Sequence, residues 1–447
     1  MKPEFGVPVP GVVGLVAALS LFAGCFQATD KIVSTPASGS TQGASSSGGT
    51  GGTTGSDCAP FVYDSLNLGL SGSHTATGDM DHDGVPDLVF SELDIPSTYR
   101  MAILHGLGDG GFTRLASDRY AGSISGMAVV DLDGDGFPDV VATNESDATS
   151  LDQQLLVFMN AGDGTLRAPV VASSTDQCAG DVVVGDFNGD GKPDVASING
   201  SCAVVQVFLG QGDGGLVSGA TAGVPMWTSG GVAGDFNGDG KLDLAVAEYQ
   251  NAPGAMVLLG DGHGGFTDGG QYATGAGARA VAAADFNGDG ILDLATANWI
   301  DYTVSLLLGS GNGQLVPAGT WPVGHGGEPS GIVAVDLNGD GKPDLAVTTS
   351  GYHSGSVLCT YSVLLGDGRG SFATPLEFGV DECPADLVAV DLNRDGRLDL
   401  AAANFVAYTA SILFSTDCPL TPSSPTQTDG GLVGNTGTST SGGSTGG

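Results

Sequence analysis

Along residues 61–414 the polar and apolar positions recur with a period of about fifty residues. Each period keeps one order. A short run of small apolar residues comes first, such as "GVAG" or "AVAAA", and an acidic loop follows. Next comes a strand-like run, "LDLAVA" or "PDLAVT". After a variable loop there is an alternating or wholly apolar run, "VSLLLG" or "YSVLLG". A Gly-rich turn, "GDGHGGF" or "GDGRGSF", leads into a fourth, more polar run. Short runs punctuated by Gly and Asp every ~8–12 residues predict strands. No long stretch repeats at helical spacing, and Gly fills 77 of 447 positions. Four strands in about fifty residues predict a propeller blade rather than a solenoid coil.

The acidic loops begin at Asp79, Asp131, Asp186, Asp235, Asp285, Asp336 and Asp391. Seven loops predict seven blades. The last repeat stops after "ASILF" at 410–414, without the Gly-rich turn and the fourth strand. The missing strand is expected at the other end. Phe61 stands 18 residues before Asp79, as Phe112 stands 19 before Asp131. The fold expected is therefore all-β: a seven-bladed β-propeller of four-stranded antiparallel blades, the last completed by the N-terminal strand, leaving no open sheet edge.

Every loop presents side-chain oxygens at positions 1, 3, 5 and 9. The sets are Asp79, Asp81, Asp83 and Asp87; Asp131, Asp133, Asp135 and Asp139; Asp186, Asn188, Asp190 and Asp194. They continue with Asp235, Asn237, Asp239 and Asp243; Asp285, Asn287, Asp289 and Asp293; Asp336, Asn338, Asp340 and Asp344; Asp391, Asn393, Asp395 and Asp399. Gly holds position 6 in all seven, as the sharp turn of a calcium loop requires. The closing acid is at position 9, not 12, and strands flank the loop, so this is not an EF-hand. Like charges this close repel unless a cation sits among them. Asp/Asn/Gly turns that bind nothing account for one such loop, not for seven. Calcium, up to seven ions, is the expected cofactor, because magnesium demands stricter octahedral geometry.

Charge and cysteines set the compartment. The net charge of −37 repels nucleic acid, so none is expected as partner. Residues 1–24 read as a signal peptide: Lys2, an apolar run at 11–23, then small residues before Cys25. This resembles a bacterial lipoprotein signal, which implies lipidation of Cys25. The chain is then expected on the cell envelope, at the outer membrane or cell surface, touching membrane only through its anchor. Residues 25–57 read as a flexible Ser/Gly/Thr-rich tether, 58–420 as the propeller and 421–447 as a disordered tail. The remaining six cysteines, in an exported chain, are expected as disulfides. The pairs expected are Cys58–Cys418, closing the ring, with Cys178–Cys202 and Cys359–Cys383, each 24 residues apart.

The pattern "DFNGDGxxDLAVA…VSVLLGDGxGxF" resembles the FG-GAP/VCBS repeat, shared with the integrin α-chain propeller. The resemblance covers 61–414 and implies a propeller with calcium loops. His82 and Arg394 take position 4, where the other five loops have Gly. The family includes adhesion proteins and a few polysaccharide-processing enzymes, so the resemblance implies a fold more than an activity.

The acidic loops and Gly-rich turns are expected on one face, and the 2–3 and blade-to-blade loops on the other. The longest intervals place insertions at 143–154 and 348–361, on the second face, which reads as a binding face. Trp227, His325, Glu328, Tyr352 and His353 lie there off the repeat pattern and are the ligand candidates. Tyr249 and Trp299 share a repeat position and read as packing. HExxH, GxSxG and P-loop motifs are absent. The expected function is a monomeric, calcium-stabilised binding or adhesion scaffold taking a glycan or surface protein. The alternatives are a polysaccharide lyase or hydrolase, and a passive spacer.

Overall fold

The computed structural model describes residues 31–32, 59–67, 72–94, 98–116, 120–121, 123–145, 153–175, 180–249, 254–353, 356–357, 359–380, 383–404 and 409–420. Strands alternate with Gly/Asp turns throughout, and the helical content described is two single 3₁₀ turns, Gly200–Cys202 and Gly324–Gly326. Among the described residues no helix is long and apolar enough to cross a membrane.

Seven four-stranded antiparallel meanders follow one another, named here from the inner strand outward. Blade 1 is Gly72–Gly78, Asp87–Asp94, Thr98–Gly106 and Phe112–Ala116. Blade 2 is Ser123–Val130, Asp139–Glu145, Gln153–Phe158 and Val170–Thr175. Blade 3 is Asp181–Gly185, Asp194–Asn199, Val204–Gly210 and Leu216–Gly223. Blade 4 is Thr228–Gly234, Asp243–Glu248, Gly254–Gly260 and Phe266–Ala273. Blade 5 is Ala278–Ala284, Asp293–Asn298, Thr303–Gly309 and Leu315–Pro322. Blade 6 is Glu328–Val335, Asp344–Ser350, Thr360–Leu364 and Leu376–Gly379.

Blade 7 takes Val388–Val390, Asp399–Asn404 and Thr409–Ser415 from the end of the chain and Phe61–Asn67 from its beginning. The register runs from Phe61 opposite Ser415 to Asn67 opposite Thr409, without a break. The expected closure is what the structure has. Within the stretch read as a tether, Lys31–Ile32 pairs with Thr113 and Phe112 on the outer edge of blade 1.

The inner strands touch in ring order, blade 7 returning to blade 1. The hydrophobic core is divided accordingly. Seven clusters each draw side chains from two neighbouring blades, one cluster per interface, including the 7–1 seam. This explains the apolar second strands. In blades 3, 4, 5 and 7 all six residues of that strand are buried, because both of its faces pack against a neighbour. The outer strands face water on one side and carry exposed valines such as Val62, Val217 and Val316.

Candidate metal centres and the opposite funnel

Each acidic loop is anchored at position 2 by a buried apolar side chain: Met80, Leu132, Phe187, Phe236, Phe286, Leu337 and Leu392. That anchor pulls the loop into the core and leaves positions 1, 3 and 5 toward solvent. The backbone then wraps around its own carboxylates. In blade 5, Asp285 accepts N–H bonds from Gly288, Asp289 and Gly290 at 2.7–3.1 Å, Asn287 accepts from Asp289, and Asp289 accepts from Ile291. The winding needs a left-handed backbone at positions 4 and 6. Gly supplies it in most cases, but His82 and Arg394 adopt φ of 61° and 59° at position 4. Their side chains reach the next loop round the ring: Arg394 Nη2 donates to Asp83 O at 3.2 Å, and His82 Nδ1 lies 3.0 Å from Gly136 O.

The closing aspartate is different in kind. It is fully buried in every blade. In blade 3, Asp194 Oδ2 accepts from Phe187 N, and Oδ1 accepts from Gly210 N at the end of the third strand, 2.8 Å away. The same two bonds recur at Asp87, Asp139, Asp243, Asp293, Asp344 and Asp399. The residue read as a metal ligand is therefore also the strut tying the loop to the third strand. Burial pushes the Asp139, Asp293, Asp344 and Asp399 carboxyls up to about 6, against the pull of those N–H groups, and the other loop carboxylates push them further.

This donor set suits a hard divalent cation. One oxygen each from Asp131, Asp133 and Asp139 lies within 4.8 Å of the others, as do oxygens of Asp79, Asp81 and Asp83. A cation there would offset both the crowding of charge and the burial of the closing acid.

The Gly-rich turns share this face. The turn of each of blades 3 to 6 donates an N–H to the position-2 carbonyl of the preceding blade: Gly214 to Leu132, Gly264 to Phe187, Gly313 to Phe236 and Gly370 to Phe286. The acidic face is thus stitched blade to blade.

On the opposite face the inner strands open into a funnel of about 1050 Å³, lined from all seven blades. Trp227 and Glu328 stand on its wall, as does Tyr249, whose ring also packs 5.5 Å from that of Trp299. Tyr249, read as packing, thus does two things. Trp227 is 41% exposed and has a left-handed backbone, φ 71°, held by its N–H on Gly200 O and its carbonyl on Tyr249 N. Sequence reasoning missed His74, Asp181, Arg279 and Asp386, which also line the funnel. Burial pushes Asp181 up to about 7, with the Asp386 charge adding to it. The signal was available: Asp181 and Asp386 each lie five residues before a first Asp, where most blades have Gly or Ala.

The other candidates are placed only in part. His325 falls in the 3₁₀ turn before blade 6. Tyr352–His353 pairs with Ser356–Val357 as a small ribbon in the 2–3 loop of blade 6. The side chains of these three, together with Cys25, Cys58 and Cys178, lie outside the described residues. Cys359 and Cys383 form the expected disulfide, with Cα atoms 4.7 Å apart, joining that loop to the entry of blade 7. Cys202 and Cys418 are disulfide-bonded as well.

The fold is similar to that of a protein from Lactobacillus plantarum, at 14% identity and a TM-score of 0.51, covering 73% of this chain and 92% of that one. It is similar also to the periplasmic gluconolactonase PpgL of Pseudomonas aeruginosa, at 14% identity and a TM-score of 0.52, covering 69% and 85%. At that identity the likeness concerns the fold alone. No curated protein matches the chain. The FG-GAP-like repeat model matches at 79–142, 131–197, 186–246, 235–296 and 285–347, each match running from one acidic loop into the second strand of the next blade. With more than half its length so matched, and with seven blades built on that unit, the chain belongs to the FG-GAP-like repeat family.

Proposed function

We propose that this propeller is a calcium-stabilised binding scaffold whose ligand enters the funnel opposite the acidic loops. One observation carries the reading: Trp227 is exposed on the funnel wall in a backbone conformation that costs an L-residue about 1–2 kcal/mol. Backbone strain of this kind clusters at active sites and ligand clamps. Trp227 and Tyr249 supply flat apolar surface, and Asp181, Glu328, Arg279 and Asp386 supply polar contacts around it. That combination suits a glycan or a polar peptide segment. Calcium would be held by the oxygens at positions 1, 3, 5 and 9 of the loops, where it neutralises their charge and fixes the blades that shape the funnel. A lipid anchor at Cys25 and the tether behind it would display the disc on the envelope of the exporting cell.

The test is binding of the purified chain to a glycan array and to envelope proteins, repeated with Trp227→Ala. Loss of a wild-type ligand with unchanged calcium-dependent melting supports the reading. A ligand retained in full by that variant overturns it. A second reading rests on Asp181, whose carboxyl titrates near neutrality beside Asp386, as a general acid requires. Turnover of a polysaccharide or a sugar lactone that stops in Asp181→Asn would replace the scaffold with a hydrolase.

A further inference from the structure

Blade 1 breaks the rule of its own repeat at one buried position. The residue just before the third-strand N–H that serves the closing aspartate is Met159, Leu209, Leu259, Leu308, Leu365 or Phe414 in blades 2 to 7. In blade 1 it is His105, only 7% exposed. The imidazole is not needed to satisfy Asp87. That carboxylate already has Met80 N on one oxygen and Gly106 N on the other, the pair found in every other blade, to which only Asp194 and Asp399 are seen to add a third donor, Asn188 N and Ser415 Oγ.

The ring nevertheless turns Nδ1 into the acidic loop, 3.1 Å from Asp87 Oδ2 and 3.5 Å from Asp81 Oδ2. One ligand atom from each of the three lies within 4.8 Å of the others. A tetrahedral ion with bonds of about 2.0 Å has ligand-to-ligand edges of about 3.3 Å, between those two distances. The other nitrogen, Nε2, is buried and lacks a well-formed hydrogen bond, although the Gly164 backbone interacts with the ring. It lies against the backbone of Gly164, where an added Cβ would come within 2.2 Å of the ring and 2.9 Å of Asp81 Cβ. Blade 2 thus roofs the cluster, and its glycine leaves room for the ring.

We propose that blade 1 binds a transition-metal ion of the zinc class through His105, Asp87 and Asp81, where the other six loops offer calcium oxygen alone. Calcium takes oxygen ligands, whereas an imidazole with two carboxylates suits zinc or cobalt. Three protein ligands leave a fourth position to water. The site shares two carboxylates with a loop assigned above to calcium, so it changes the identity of one ion and leaves the reading of the other six unaffected.

The test uses the full chain, stripped with chelator and titrated with cobalt(II), with and without millimolar calcium. The wild type is expected to take one cobalt per chain with the strong visible bands of a four- or five-coordinate ion, and to release it to one equivalent of zinc. His105→Leu installs the side chain that four other blades use. His105→Gln keeps a hydrogen-bonding group beside Asp87 without an imidazole. Both are expected to lose the bands and at least a hundredfold in cobalt affinity. Equal affinity and identical spectra in the wild type and either variant overturn the proposal, as does a weak six-coordinate spectrum in the wild type. Because the titration is run without calcium too, failure of the calcium reading and failure of this site are separately visible.

Discussion

The two faces of the disc are made by the same repeat and have opposite characters. On the acidic face all seven blades carry the same anchor at position 2, the same turn at position 6 and the same buried strut at position 9. On the funnel face, the residue five before each first Asp is His74, Gly126, Asp181, Gly230, Ala280, Gly331 or Asp386. Closing a ring requires that every interface be alike, and holding an asymmetric ligand requires that they differ. Regularity here belongs to the side that bears the fold, and departures from it mark where chemistry is to be sought.

Removing metal should separate the faces most sharply. A site held at a hundredfold excess over its dissociation constant adds about 2.7 kcal/mol, so a few loops together rival the stability of a whole domain. Chelation is therefore expected to lower the melting temperature by more than about 10 °C, followed by calorimetry, while funnel substitutions leave that shift intact. A melting temperature indifferent to chelator would break the comparison at its base.

Within the acidic face, the strut and the exposed ligand should differ. Asp293→Ala strips the acceptor from one buried and one part-buried N–H group, at ~1–3 kcal/mol each, and should cost about 3 kcal/mol even in chelator. Asp289→Ala should cost about 2 kcal/mol in calcium and under ~0.5 kcal/mol in chelator. Denaturant titration of both proteins in both buffers reads all four values. Equal losses would show that position 9 acts only through metal.

On the funnel face, stability and binding should move in opposite directions. Trp227→Gly relieves the left-handed backbone and is expected to raise stability by up to about 1 kcal/mol while weakening ligand at least tenfold. A variant both less stable and still binding would place Trp227 with the packing residues.

The last contrast is in pH. The closing carboxyls at about 6 hold their protons more tightly in the folded chain than in the unfolded one. In chelator, stability should therefore rise as pH falls from 7.5 through 6, and level off near the ordinary aspartate range. In calcium the trend should reverse, because protons displace the ion. Melting curves at pH 7.5 and 5.5 in the two buffers give the four points.

The repeat made the fold legible. Loop spacing set the number of blades, and the mismatch between "ASILF" and "FVYDS" located the closing strand. The struts were legible as acids but not as struts, because the Gly210 N–H that Asp194 serves lies sixteen residues on and only the sheet brings it back. His105 and Asp181 escaped notice for a related reason. Each is ordinary in its local segment and odd only beside the same place in the other blades. Trp227 was legible because a large aromatic in a Gly-rich loop stands out alone.

The pairing of Phe61–Asn67 with Thr409–Ser415 also governs how this molecule is made. Thr416 Oγ1 donates to Ala59 O across 357 positions of sequence, so the last interface cannot form until nearly the whole chain is present. Contacts of such separation slow folding. Until that moment blade 7 has an open outer edge and the 7–1 cluster lacks Leu66, leaving surfaces that other unfinished chains can bind. Circular permutants that begin at the outer strand of a different blade would move this moment of exposure around the ring, and refolding yield against concentration would map its cost.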